Sequence, residues 1–306
     1  MRVRLLGTAA GGGFPQWNCN CHQCQGVRQG TLQARPRTQS SVALSADGTH
    51  WFLLNASPDI RQQIEAFPLL APPAGSARGS SIAAVLLTDA DLDHTLGLLI
   101  MREGLHRTIY ATSVVHHALT RGLALASALS HYCEVEWREP AQELTPLPLA
   151  NGSPSGLSYV ACPLTGHPPR YMGEEALPQE GDRVGYYFVD ERSGGRLLYV
   201  PGLATLEAPV RNLLAYCDAL LLDGTFWSEH EMEETQTGSK SASAMGHLPV
   251  GGSQGSLLEI AALPMRHRIY VHINNTNPLL REDSSEYAAV RAAGIEVGRD
   301  GLELTL

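Results

Sequence analysis

Short apolar runs that stop abruptly at a polar residue recur along this chain of 306 residues. Val3 to Gly7, Ser40 to Leu44, Trp51 to Leu54, Ile82 to Thr88, Ala219 to Leu222 and Ile269 to Ile273 each have the length and aliphatic character of a buried strand. Residues 40–44 and 51–54 flank Ala46-Asp47-Gly48 and predict a hairpin. A mixed β region is expected over Tyr159 to Val200, with hairpin arms at 186–189 and 196–200. Between the strands, helical spacing predicts helices beginning at Ser57-Pro58, with Ser57 as cap, and at Leu96 to Arg102, and also over 114–129, 253–263 and 286–293. Glu296 to Leu304 reads as one closing strand. Residues 71–81, rich in Pro, Gly, Ala and Ser, predict a surface loop, and the stretch from about 229 to 252 predicts a mobile flap. Buried strands alternating with helices describe an α/β sandwich, a single domain over 1–306.

Composition narrows the function classes. A formal net charge of -9 lacks the basic stripe that a nucleic-acid surface needs. No apolar run approaches the roughly 18 residues of a membrane span, so no membrane insertion is expected, and the basic start is followed by no signal-peptide core. The expectation is a cytoplasmic protein. Cys133, Cys162 and Cys217 are scattered as buried thiols would be, whereas Cys19, Cys21 and Cys24 fall within six residues. Three such thiolates can grip one tetrahedral ion, which predicts a structural zinc on the loop at 14–28. His22, His267, Asn275 and a water are all open as its fourth ligand.

The strand ending at Thr88 runs into Asp89-x-Asp91-x-Asp93-His94. Three carboxylates and an imidazole crowded at a strand end call for a cation. His167, Asp223 and His272 also sit at strand ends or in adjoining loops, where a lone His or Asp is most often only a cap. Two other motifs carry no weight. Gly251-Gly-Ser-Gln-Gly255 has no strand before it to make a nucleophile elbow, and Gly11 to Gly13 lack the Lys of a phosphate loop.

In order and spacing these positions resemble the metallo-β-lactamase superfamily, whose pattern is His-x-His-x-Asp-His, a Gly-His, an Asp after a strand and a final strand-end His. The resemblance implies an αββα four-layer fold. It also implies that Asp93, His94, Asp223 and His272 hold one metal, while Asp89 and Asp91, with His167 and Asp223, stand where a second would bind. Asp89 and Asp91 replace the two histidines of that second site, which argues against a dizinc hydrolase.

Longer motifs give a closer likeness. Phe14-Pro-Gln-Trp-Asn-Cys-Asn-Cys-His-Gln-Cys, Arg37-Thr-Gln-Ser-Ser, Asn55-Ala-Ser-Pro-Asp-Ile-Arg, Asp223-Gly-Thr-Phe-Trp and His272-Ile-Asn-Asn-Thr-Asn-Pro resemble the pyrroloquinoline quinone biosynthesis B family. The resemblance implies either carriage of the quinone or its precursor, or an oxidoreductase that uses iron and O2 to hydroxylate the tyrosine of a Glu-Tyr-derived precursor. Two imidazoles with carboxylate suit Fe(II), with Zn as the other candidate, and favour the hydroxylase. Metal-dependent hydrolysis ranks third. Asp91, His167 and His247 are then the expected catalytic groups, His247 by analogy with an accessory loop histidine in transfer-RNA 3′ processing enzymes. Asp89 and Asn275 are weaker candidate ligands, and a homodimer is the one larger assembly considered.

Overall fold

The computed structural model describes residues 1–103 and 106–306. Among the described residues fourteen strands make two seven-stranded sheets. The first sheet contains β1 (Arg2–Gly7), β2 (Ser41–Ser45), β3 (Trp51–Leu54), β4 (Ile82–Leu86), β5 (His106–Tyr110) and β6 (Glu134–Arg138). The second contains β7 (Thr145–Pro148), β8 (Pro154–Leu164), β9 (Arg183–Asp190), β10 (Arg196–Val200), β11 (Ala219–Asp223), β12 (His267–Val271) and β13 (Glu296–Val297). β14 (Glu303–Thr305) returns to the first sheet, outside β1. β3 through β6 pair in parallel, as do β10 through β13.

Alternation along the strands sends Leu5, Phe52, Leu54, Leu86, Tyr186, Phe188, Leu197, Leu221 and Val271 into one core between the sheets. The opposite faces are also apolar, so helices cover them. Ile60, Leu98, Val115 and Leu119 lie over the first sheet, and Val210, Ile260 and Val290 over the second. Three stacked apolar layers give the αββα four-layer sandwich.

Several local expectations shift. The helix expected to be capped by Ser57 starts at Ile60 with Asp59 in the cap position, because the Ser57 hydroxyl is taken by Gln63 Oε1. β4 ends at Leu86, two residues early, and helical turns start at Leu92 rather than Leu96. The closing strand over 296–304 is two short strands in different sheets. The turn between them is fastened by Arg37, which donates to Gly298 O, and by Asp300, which accepts from Thr38 N and from the Thr8 hydroxyl. Such a long-range polar clamp leaves no trace in local periodicity.

The expected mobile flap at 229–252 is packed. It carries a helical turn (Glu231–Glu234) and a 3-10 turn (Ser243–Met245), and Ala242 and Val250 are buried. Glu231 anchors it, accepting from Trp227 N and the Thr276 hydroxyl, each at 2.6 Å. Burial outweighs these two hydrogen bonds and raises the Glu231 pKa to about 7.

A carboxyl whose pKa rises on folding binds its proton more tightly in the native state, so stability falls as pH rises between the unfolded value near 4.5 and about 7. Glu231→Gln should remove this dependence. Melting curves at pH 5 and 8 are expected to show the unaltered chain losing stability on the order of 2 kcal/mol relative to the variant across that interval. Parallel pH profiles for the two proteins would refute the assignment.

Candidate metal centre

The acidic loop is fixed from both ends. Asn55, at the end of β3 with φ of 62°, donates to the Thr88 hydroxyl and accepts from Thr88 N at 2.9 Å. Ala56 N donates to His94 O at 2.8 Å. Gly97 must be glycine in this packing, since a Cβ there would lie 2.3 Å from Ser57 O. On the second sheet the C-terminal ends of parallel β11 and β12 lie side by side and deliver Asp223 and His272. His272 has left-handed backbone (φ 57°), a conformation costing of order 1 kcal/mol or more in a non-glycine residue and typical of functional positions. Ile273 then bridges to the end of β1, its N–H donating to Thr8 O, so the ends of both sheets meet here.

Five of the expected residues, four of them expected ligands and His247 an expected catalytic group, fall into two overlapping clusters. Asp93, His94 and His272 offer ligand atoms within 4.8 Å of one another, and so do Asp223, His247 and His272. In the first, His272 Nε2 is 3.2 Å and His94 Nε2 3.9 Å from Asp93 Oδ2. His94 Nε2 is buried with no hydrogen-bond partner, the orphaned donor atom a metal would satisfy. Its Nδ1 is 2.8 and 2.9 Å from the two Asp89 oxygens, and Thr88 donates to the same carboxylate. That contact keeps a ring proton on Nδ1, so Nε2 is the nitrogen that would give up its proton to a metal. Burial works against charge on both partners. The Asp89 and Asp93 carboxylates nevertheless raise His94 to about 9, while His94 and a hydrogen bond from His272 lower Asp93 to about 2.

In the second cluster, Asp223 Oδ2 accepts from Leu203 N at 2.8 Å and His247 Nδ1 at 2.6 Å, and Oδ1 accepts from the Thr225 N–H and hydroxyl. The Thr225 oxygen also takes the Nδ1 proton of His272 at 2.8 Å, turning His272 Nε2 toward Asp93. Burial opposes the Asp223 charge, but His247 and His272 outweigh it and lower its pKa.

Asp89, Asp91 and His167 do not join a cluster. Asp89 is occupied by His94, Asp91 faces Arg183 Nη2 at 3.6 Å, and His167 is exposed on the cavity rim. Asp91, His167 and His247 nevertheless line one cavity of about 360 Å³ with Asp93 and His272. The expectation that His247 sits in a flexible loop is corrected. The residue is buried, stacked on His272 with ring centroids 5.5 Å apart and set edge-on to Phe226. Its role as a possible ligand escaped the sequence, because no strand precedes it.

The Cys19, Cys21 and Cys24 sulfurs form a third cluster at the start of the helix His22–Gln29. Asn275 closes it, its side-chain amide 3.2 Å from Cys19 Sγ, 3.8 Å from Cys21 Sγ and 3.4 Å from Cys24 Sγ. His22 is exposed, and His267 lies at the far end of β12 facing Glu296, which removes His267 from the ligand candidates. The hydrogen bond between Cys24 and Cys21 draws Cys21 down to about 5 and pushes Cys24 up. A ready thiolate beside two further sulfurs fits a zinc ion, whose binding displaces the remaining protons.

Residues 50–273 match the beta-lactamase superfamily domain, the class that the paired sheets and strand-end donors define. Coenzyme PQQ synthesis protein B of Azotobacter vinelandii is 47% identical, and that of Stutzerimonas stutzeri 46%, each with 100% of both chains covered. The crystal structure of Zn(2+)-bound PqqB from Methylobacterium extorquens superposes with a TM-score of 0.90 at 40% identity, again covering 100% of each chain. The chain belongs to the coenzyme PQQ synthesis protein B family. A diphosphatase of the PhnP family, 21% identical with a TM-score of 0.67 over 100% of this chain and 97% of its own, shares the fold.

The Asp89–His94 contact can be tested directly. Asp89→Ala removes the acceptor that fixes the ring, and chelator competition with zinc is expected to show affinity at this centre falling 10- to 100-fold, as a rough guide. Unchanged affinity would mean that His94 needs no such support.

Proposed function

We propose that this chain serves pyrroloquinoline quinone synthesis as an iron- and O2-dependent hydroxylase acting on the tyrosine-derived ring of a Glu-Tyr precursor. One observation carries the reading: two imidazoles and one carboxylate, His94, His272 and Asp93, converge with the buried His94 Nε2 left unpartnered. Two histidines and a carboxylate with open positions are the donor set that suits non-haem Fe(II). A ferrous ion held there would supply activation of dioxygen, with one oxygen atom going to the ring and the other leaving as water at the expense of a two-electron reductant.

The surrounding residues prepare the site. Asp89 and Thr225 hold the Nδ1 protons of His94 and His272, so both rings present their Nε2 atoms. Asp223, expected as a further ligand and grouped with His247 and His272, accepts four hydrogen bonds and fixes His247, whose ring borders the cavity. His247 is placed to hold or pass a proton at the substrate, and His167 on the rim to orient it. Asp91, counted among the catalytic groups, reaches the cavity from beside Arg183. Among the described residues no helix is long and apolar enough to cross a membrane.

The test is oxygen uptake by protein purified without oxygen, loaded with Fe(II) and given a reductant and a Glu-Tyr-derived precursor. Expected are dioxygen consumption, a product heavier by oxygen, and loss of both in His94→Ala. No turnover with any tyrosine- or dihydroxyphenyl-containing precursor would sink the reading. Tight stoichiometric binding that survives metal removal would then favour a carrier, and robust zinc-dependent hydrolysis a hydrolase.

A further inference from the structure

The chain is acidic, with 31 Asp and Glu against 22 Lys and Arg, yet the cavity beside the metal centre gathers Arg170, Arg183 and Lys240. Lys240 is the only lysine in the sequence. Arg183 is buried (5% exposed) at the start of β9. Backbone has been cleared around its guanidinium. A Cβ at Gly202 would lie 3.1 Å from its Cζ, and one at Gly246 would lie 3.1 Å from Nη1.

A guanidinium has five N–H donors. Here Nη1 donates to Gly246 O at 2.9 Å, Nε is buried without a partner, and Nη2 reaches Asp91 only at 3.6 Å, beyond hydrogen-bond length. A buried cation with unspent donors on a cavity wall is poised for an anion, and its planar fork matches a carboxylate. Arg170 and Lys240 are both exposed at the mouth. The 3-10 turn Arg170–Met172 is tied to the acidic loop through Tyr171, whose hydroxyl donates to Ala90 O at 2.7 Å.

We infer that Arg183, Arg170 and Lys240 are the anion-recognising residues of this cavity, Arg183 as the buried anchor for one carboxylate of the ligand and Arg170 and Lys240 receiving others at the mouth. The inference rests on the cavity being the substrate site, and it assigns the residues that would recognise the carboxylates of the substrate in the hydroxylase reading. Charge at the ligand's periphery would hold its ring over the metal donors without itself taking part in the oxidation.

The test requires no turnover, so it stands apart from the fate of the hydroxylase reading. The zinc-loaded full chain is titrated with benzoate, benzene-1,3,5-tricarboxylate and pyrophosphate. Affinity is measured by calorimetry, and protection of Lys240 from an amine-reactive label by peptide mass mapping. The tricarboxylate is expected to bind and protect, and benzoate to do neither. Arg183→Gln should lose affinity about tenfold or more and Lys240→Gln severalfold. Because Arg183 is buried, its variant is first checked by thermal melting. The exposed Lys240→Gln variant and the labelling of the unaltered chain decide the matter if Arg183→Gln fails to fold. Binding equally strong in Lys240→Gln, or absence of protection by the tricarboxylate, overturns the proposal. Stronger protection by pyrophosphate overturns the carboxylate assignment.

Discussion

Four carboxylates, Asp89, Asp91, Asp93 and Asp223, are brought to the seam where the C-terminal ends of two sheets meet, and the local structure follows from keeping them charged there. An unpaired carboxylate in such a place would cost several kcal/mol and take up a proton instead. Asp89 and Asp223 escape by accepting hydrogen bonds on every side, including one imidazole each, from His94 and His247. Pairing each imidazole through Nδ1 solves a second problem, because it releases Nε2 toward the centre. The interaction that makes the site bearable in the fold is also the one that makes it a ligand set.

The same logic explains the strained backbone. Asn55 and His272 are non-glycine residues with positive φ, and each stands where a strand must end and turn its next residues into the seam. Asn55 recovers its cost through the side-chain clamp on Thr88 and His272 through Thr225 and the bridge of Ile273 to β1. The parallel halves of these mixed sheets, covered by helices on their outer faces, are stiff enough to impose these conformations.

The architecture was legible because its causes are local. Apolar runs ending in Asp or His marked β4, β11 and β12, and the cysteine spacing marked the third cluster. What stayed hidden depends on partners far away in sequence. Nothing near Asp89 shows that its oxygens face His94 rather than a metal, and nothing near Arg183 shows that Gly202 and Gly246 make room for it. The excursion at 229–252 looked mobile because glutamate and serine are usually solvated. Glu231 is instead buried between Trp227 N and Thr276, and it brings His247 and Lys240 to the cavity wall.

Asn275 lies only three positions after His272, so the two candidate metal sites hang on one short segment. Ile273 is bonded to Thr8 and Ala10, Asn274 N donates to Thr225 O, and Asn275 faces the three cysteine sulfurs. Every residue after the strand is therefore held by a different part of the chain, and the His272 ring has little freedom to swing. Ions at both ends would stiffen this segment further. The three cysteines do not line the cavity beside His272, and Asn275 packs its side-chain amide against their sulfurs. The cluster's contribution is to fix the backbone that aims His272, which turns a loop at a sheet edge into a support as rigid as the strands feeding it.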